Sequence, residues 1–225
     1  MWTVPRIWDG GRCFIIGGGP SMPRQFGIPA EVIQEVLLKK QSPAVYDKYL
    51  QVLEKEHVIG VNMAYLFHCV DVLFYGDDSF FKSHKEQILA FQGLRVGCPN
   101  RPEAKYAIRV KALKRVKTNE GLTDRSNSVV WHSNSGGAAI NLAYLFGAKQ
   151  IILLGYDMDL DTNQNQHWHK EYHGNVTTIQ GTFKRHKACF PSIASAAQKK
   201  GIEILNANPE SKIPDFKKVN LSDIL

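Results

Sequence analysis

The chain has 225 residues, 44% hydrophobic and 22% charged, an ordinary globular balance that argues against disorder, and its longest apolar runs, such as 151–154, are far too short for a membrane helix. Its 28 Lys and Arg outnumber its 21 Asp and Glu, for a formal charge of +7 and a pI near 9.2, so an anionic partner is expected. Four scattered cysteines, Cys13, Cys69, Cys98 and Cys189, form no C-x-x-C pair and do not suit a zinc-thiolate site.

Residues 1–11 carry Trp2 and Trp8 and should pack beside the first strand. Residues 12–16 read as that strand. The turn after it, Gly17-Gly18-Gly19-Pro20-Ser21, is expected to cradle phosphate: glycine permits φ > 0 and brings no Cβ between backbone amides and an anion. Pro20 fixes φ, and Ser21 can cap the next helix or donate to a phosphate oxygen. The turn is not a Walker loop, lacking Gly-Lys-Ser/Thr, and it lacks the third glycine of a dinucleotide fingerprint. An ordinary glycine-rich β-to-α turn is the structural alternative.

Apolar residues at helical spacing predict a helix over 30–40, bounded by Pro43, and a second helical segment over 44–55. Strands follow at 58–61, ending on Asn62, and at 71–76, ending on Asp77. Ligands of open α/β sheets bind outside the carboxyl ends of strands, so the glycine turn, Asn62 and Asp77 should converge on one edge. A helix over 80–91 and a strand over 94–98 come next. Residues 99–124 are polar, basic and aperiodic, and read as an excursion or lid.

After a strand at 128–131, Ser135-Gly136-Gly137 opens a helix of small residues that Gly147 closes at C′. Its start should present amides and a positive dipole end to an anion, or else serve close packing. The strand at 151–154 leads to Tyr156 and Asp157. Residues 159–182 form a His-rich loop expected to be mobile, followed by a helix over 182–200 with Pro191 near its true start and a last strand and turn over 202–209.

Several groups could carry chemistry. Asp77 and Asp157 could bind a ribose hydroxyl or a phosphate-held magnesium ion, or cap helices. His167, His169 and His173 could ligate a metal, and one histidine between His167 and His186 suits a general base. No nucleophile elbow is present, so a covalent intermediate is not indicated. The basic residues Lys105, Arg109, Lys111, Lys114, Arg115 and Lys117, with Lys184, Arg185 and Lys187, form a solvated face, a phosphate clamp or a track for a polyanionic or nucleic-acid acceptor.

Taken together, 16–21, 60–62, 135–139 and 145–157 resemble, in order, the bacterial sialyltransferases of the Campylobacter type. They are also similar to the hydroxymethylpterin diphosphokinase-like family of archaea and to many unassigned phage proteins. The sialyltransferase resemblance implies that Gly17, Gly19, Pro20, Ser21, Asn62, Ser135 and Gly136 hold the phosphate and ribose of a cytidine nucleotide. It further implies Tyr156 and Tyr172 on the leaving phosphate and a histidine base, His173 or His186. The archaeal resemblance implies instead magnesium-dependent diphosphate transfer from ATP. The expectation is a cytoplasmic, Rossmann-like α/β domain over 1–225, mostly parallel, with helices on both faces. Its work would be transfer from a nucleotide sugar, with diphosphate transfer or plain nucleotide or nucleic-acid binding as alternatives.

Overall fold

The computed structural model describes residues 2–100, 109–171 and 179–225. From the N-terminus the elements are β1 (Arg12–Ile16), α1 (Met22–Gln25), α2 (Ala30–Leu37), β2 (His57–Val61), β3 (Val72–Tyr75), α3 (Asp78–Ser83) and α4 (Lys85–Ala90). There follow β4 (Leu94–Gly97), β5 (Lys111–Ala112), β6 (Lys114–Val116), β7 (Ser128–Val130), α5 (Ser135–Phe146) and β8 (Gln150–Leu154). The last are α6 (Ile179–Lys187), α7 (Phe190–Lys199), β9 (Glu203–Asn206) and β10 (Lys217–Lys218). Among the described residues no helix is long and apolar enough to cross a membrane.

Eight strands form one sheet in the order β10-β9-β8-β1-β2-β3-β4-β5, and each of its pairings is parallel. The chain winds from β1 towards β5 on one side, then returns to lay β8 against the other edge of β1. This reversal leaves a crevice at the carboxyl ends of β1 and β8, where open α/β sheets hold their ligands. β1 is doubly paired, Ile16 matching Gly60 on one side and Leu154 on the other.

Strand residues alternate between two apolar layers because successive Cβ atoms point to opposite faces. Cys13, Ile15, Ile151 and Leu153 pack under α5 and α7, while Phe14, Ile16, Ile152 and Leu154 pack with Met22, Val36, Phe80 and Ile88 on the other face. The fold is thus the expected α/β arrangement with helices on both faces. α5 is buried through most of its length, which explains its run of Gly and Ala, and it ends at Gly147 with φ 104°. Only glycine adopts that conformation readily.

Local departures from the predicted elements have plain causes. The helical segment expected over 44–55 is two stretches of 3-10 helix, Pro43–Tyr49 and Gln51–Leu53. The predicted 80–91 helix breaks at His84 into α3 and α4. The predicted 182–200 helix is two helices, with Pro191 in the first turn of α7, the position that needs no amide donor. Within 99–124, residues 111–116 supply β5 and β6, with Leu113 buried between exposed Lys111 and Lys114.

Candidate active site at the carboxyl ends of β1 and β8

A cavity of about 410 Å³ opens at the reversal of strand order. Its walls are Gly17–Gly19 after β1, Asn62 after β2, Asp77 after β3, Ser133–Gly136 at the start of α5, Gly155–Asp159 after β8, and His167, His169, Arg185 and His186 opposite. Strand ends therefore bring together the glycine turn, Asn62, Asp77, Ser135, Gly136, Tyr156 and Asp157. Pro20, Ser21 and Gly137 do not line the cavity. Tyr172 and His173 lie outside the described residues.

The glycine turn is bound to β8 more tightly than a phosphate cradle requires. The Gly17 amide donates to Leu154 O and the Gly19 amide to Gly155 O, each at 2.8 Å. The Ser21 amide donates to Asp157 Oδ2 at 2.8 Å and its hydroxyl to Asp157 Oδ1. With Pro20 lacking a donor, Gly18 keeps the one amide of the turn that donates to no described residue. None of the three glycines has a positive φ; that conformation falls on Gly155, at 66°. The glycines are needed for space instead. A Cβ on Gly19 would lie 2.5 Å from Gly155 O and closer still to Asp157 Oδ2, and one on Gly18 would lie 3.0 Å from His167 Nδ1.

Asp157 is 6% exposed and ties two other segments to its own. Besides both Ser21 donors it accepts from Asn208 Nδ2 at 2.7 Å, beyond the end of β9. Burial raises its pKa, against the lowering effect of these hydrogen bonds. Ser21, expected to cap a helix or meet phosphate, thus spends its hydroxyl on Asp157. At the start of α5 the Gly136 and Gly137 amides are likewise taken, both by Asn134 Oδ1, at 2.9 and 3.3 Å. Gly137 serves packing, since a Cβ there would lie 3.1 Å from Cys189 Sγ. Tyr156 donates its hydroxyl to Gly136 O at 3.1 Å, and burial holds its pKa well above the usual phenol value.

Three of the described non-glycine residues with positive φ stand on the cavity wall: Asn62 (54°), Ser133 (55°) and Met158 (54°). Such backbone costs on the order of 1 kcal/mol or more per residue and gathers at functional sites. Asn62 Oδ1 is buried with no hydrogen-bond partner among the described residues. A buried polar atom normally has a partner, so Oδ1 is an unmet demand in a residue of the cavity wall.

The histidine segment is stapled to the glycine turn. Trp168 donates its amide to Gly18 O at 3.2 Å and its indole Nε1–H to Gly17 O at 2.8 Å. His167 Nδ1 lies 3.1 Å from Gly18 O, which as a pure acceptor selects the Nδ1–H tautomer. Trp168, 1% exposed, anchors the segment against Tyr46 and Phe67. No sequence motif marks this staple; a tryptophan inside an otherwise polar stretch is the one available signal. The rings of His167 and His169 stack at 5.3 Å. Among the described residues no three His, Cys, Asp or Glu side chains group so as to hold a metal ion.

Burial, then the neighbouring Arg185 and His167 charges, lowers the His186 pKa to about 4. Burial first, then His167 and His84, lowers that of His169 to about 3. Both are neutral at pH 7. Asp77 has a raised pKa from burial, opposed by Arg115. Arg115, from the basic run, turns inward: it donates to the Gly76 and Cys98 carbonyls and lies 3.8 Å over the Trp131 ring. It is committed to the fold rather than to a nucleic-acid track.

The parallel sheet, the crevice at its strand reversal and the helices on both faces define a Rossmann-type α/β fold. The structure is similar to Maf glycosyltransferase from Magnetospirillum magneticum AMB-1, with a TM-score of 0.56 and 11% identity over 98% of this chain and 36% of that one. It is also similar to the sialyltransferase CstII from Campylobacter jejuni, solved with the substrate analogue cytidine-5'-monophosphate, with a TM-score of 0.49 and 12% identity over 93% of this chain and 84% of that one. At these identities the likeness is one of fold, and the chain spans little more than a third of the Maf chain. No family model and no curated protein matches the sequence.

Proposed function

We propose that the chain is a nucleotide-sugar-dependent glycosyltransferase whose donor occupies the cavity between β1 and β8. The observation that carries this is the buried Oδ1 of Asn62, without a partner among the described residues and held in a left-handed backbone, in the same cavity wall as Gly18. A nucleotide would satisfy both groups, the Gly18 amide and the N-terminus of α5 facing its phosphate and the Asn62 carboxamide its sugar or base. The fold shared with one glycosyltransferase agrees with this, and the sequence resemblance makes CMP the first nucleotide to try.

In the reaction the acceptor hydroxyl attacks the anomeric carbon of the donor sugar. The carbon–oxygen bond to phosphate breaks, and the nucleotide leaves with that electron pair. His186 takes the acceptor proton. A base with a pKa of about 4 is weak, but phosphate negative charge brought beside it favours the imidazolium and raises that value towards neutrality. The bound donor would thus tune its own base.

The test is an assay of nucleotide release from CMP-, UDP- and GDP-sugars with a panel of acceptors. His186→Gln should lower turnover at least 100-fold while leaving CMP affinity within about threefold, and the NMR-measured pKa of His186 should rise when CMP binds. Full turnover in His186→Gln would remove it from the chemistry. CMP binding without turnover of any donor would leave a nucleotide-binding module in place of an enzyme.

A further inference from the structure

The donor cavity does not end at Met158. A second cavity, of about 550 Å³, shares Met158, Asp159 and Phe183 with it and continues along α6 to Lys187, Lys212 and Lys218. A third, of about 730 Å³, shares Lys187 and Lys212 with the second and adds Lys184 and Asp215. Through these shared walls the three cavities adjoin in a row that we read as one trough, with four lysines against Asp159 and Asp215 in its outer part. Lys218 Nζ is spent on Ser211 O at 2.6 Å. Lys184, Lys187 and Lys212 form no ion pair with any described residue. Four lysines against two carboxylates leave the outer part net positive, and a concave wall with a net charge focuses its field on whatever enters.

We infer that this outer trough binds the acceptor, and that the acceptor is a saccharide bearing a carboxylate or phosphate group. The inference rests on the donor reading above, because its meaning as an acceptor site comes from its continuity with the donor cavity across Met158. That residue, at φ 54°, forms the shared wall at which donor and acceptor would meet. A short concave trough suits a small anionic sugar better than a polynucleotide, which needs an extended stripe of phosphate contacts.

Three probes test it by NMR on the ¹⁵N-labelled full-length protein saturated with CMP: glucuronic acid, glucose 6-phosphate and glucose. Either acid should give saturable shifts at Lys187 and Lys212, and glucose should not; whichever acid binds identifies the anion. The double variant Lys187→Gln/Lys212→Gln should weaken that binding at least fivefold and leave CMP affinity within twofold. Equal binding of glucose, no binding of either acid, or unchanged affinity in the double variant would overturn the inference. So would tighter, steeply salt-dependent binding of a single-stranded oligonucleotide at these lysines. Failure of the donor reading is read separately, as absence of CMP-induced shifts at Gly18 and Asn62.

Discussion

Replacing Ser21 by Ala separates a phosphate-binding serine from a structural one. In the structure Asp157 is buried and accepts from the Ser21 hydroxyl, the Ser21 amide at 2.8 Å and Asn208 Nδ2 at 2.7 Å. The alanine variant leaves that carboxylate one donor short in a site water does not readily reach. A hydrogen bond to a charged group contributes about 1.5 to 3 kcal/mol, and in a chain of this size each kcal/mol moves the melting temperature by roughly 2 to 4 °C. Urea denaturation should therefore show a loss of about 1.5 to 3 kcal/mol, and thermal unfolding a fall of roughly 3 to 12 °C. CMP affinity, measured under conditions where the variant is folded, should change less than about threefold. Unchanged stability with affinity lost tenfold or more would show that the hydroxyl works on the ligand and that the Asp157 clasp is misassigned.

Gly19→Ala should destabilise by about 1 to 3 kcal/mol, because its Cβ meets the Gly155 carbonyl and the clasped Asp157. Gly18→Ala, which meets the His167 ring instead, should fold and lose nucleotide affinity at least tenfold; equal stability costs in the two variants would contradict this. Acid should destabilise the protein between pH 6.5 and about 4. His169 and His186 have folded pKa values of about 3 and 4, below the ordinary 6.5, so the unfolded chain takes up their protons first and stability falls with pH. The buried His169 alone contributes about 3 kcal/mol over that range, opposed in part by the raised pKa values of Asp77 and Asp157. A flat melting temperature from pH 6.5 to 4, or one unaltered in slope by His169→Gln, would show these rings are not buried neutral. Turnover should survive EDTA; its abolition would favour magnesium-dependent diphosphate transfer.

The fold was legible because β1, β2, β3 and β8 are buried on both faces and so appear as short apolar runs ending in glycine or a polar residue. The convergence of Gly17–Gly19, Asn62 and Asp77 on one edge followed from the ends of β1, β2 and β3. What the sequence hid was which polar groups were already engaged. Ser21, Gly136 and Gly137 look available in a linear reading, but their partners Asp157 and Asn134 are identified only by packing, Asp157 lying 136 residues from Ser21. The inward turn of Arg115 was hidden for the same reason, since its acceptors are backbone carbonyls that carry no sequence signature. His167 and Trp168 were obscured by their polar surroundings, although they close the glycine turn from outside. The unmet polar group at Asn62 needed the left-handed backbone to be seen, and no residue pattern announces it.

The most direct measurement is a titration of the ¹⁵N-labelled protein with CMP, UDP, GDP and ATP, followed through the backbone amide of Gly18 and the side-chain amide of Asn62. One nucleotide, CMP first, should shift both signals saturably with one dissociation constant, and Asn62→Ala should weaken its binding at least tenfold without unfolding the protein. Nucleotide binding that shifts residues elsewhere and leaves Gly18 and Asn62 unmoved, or no binding by any of the four, would contradict the donor site proposed between β1 and β8.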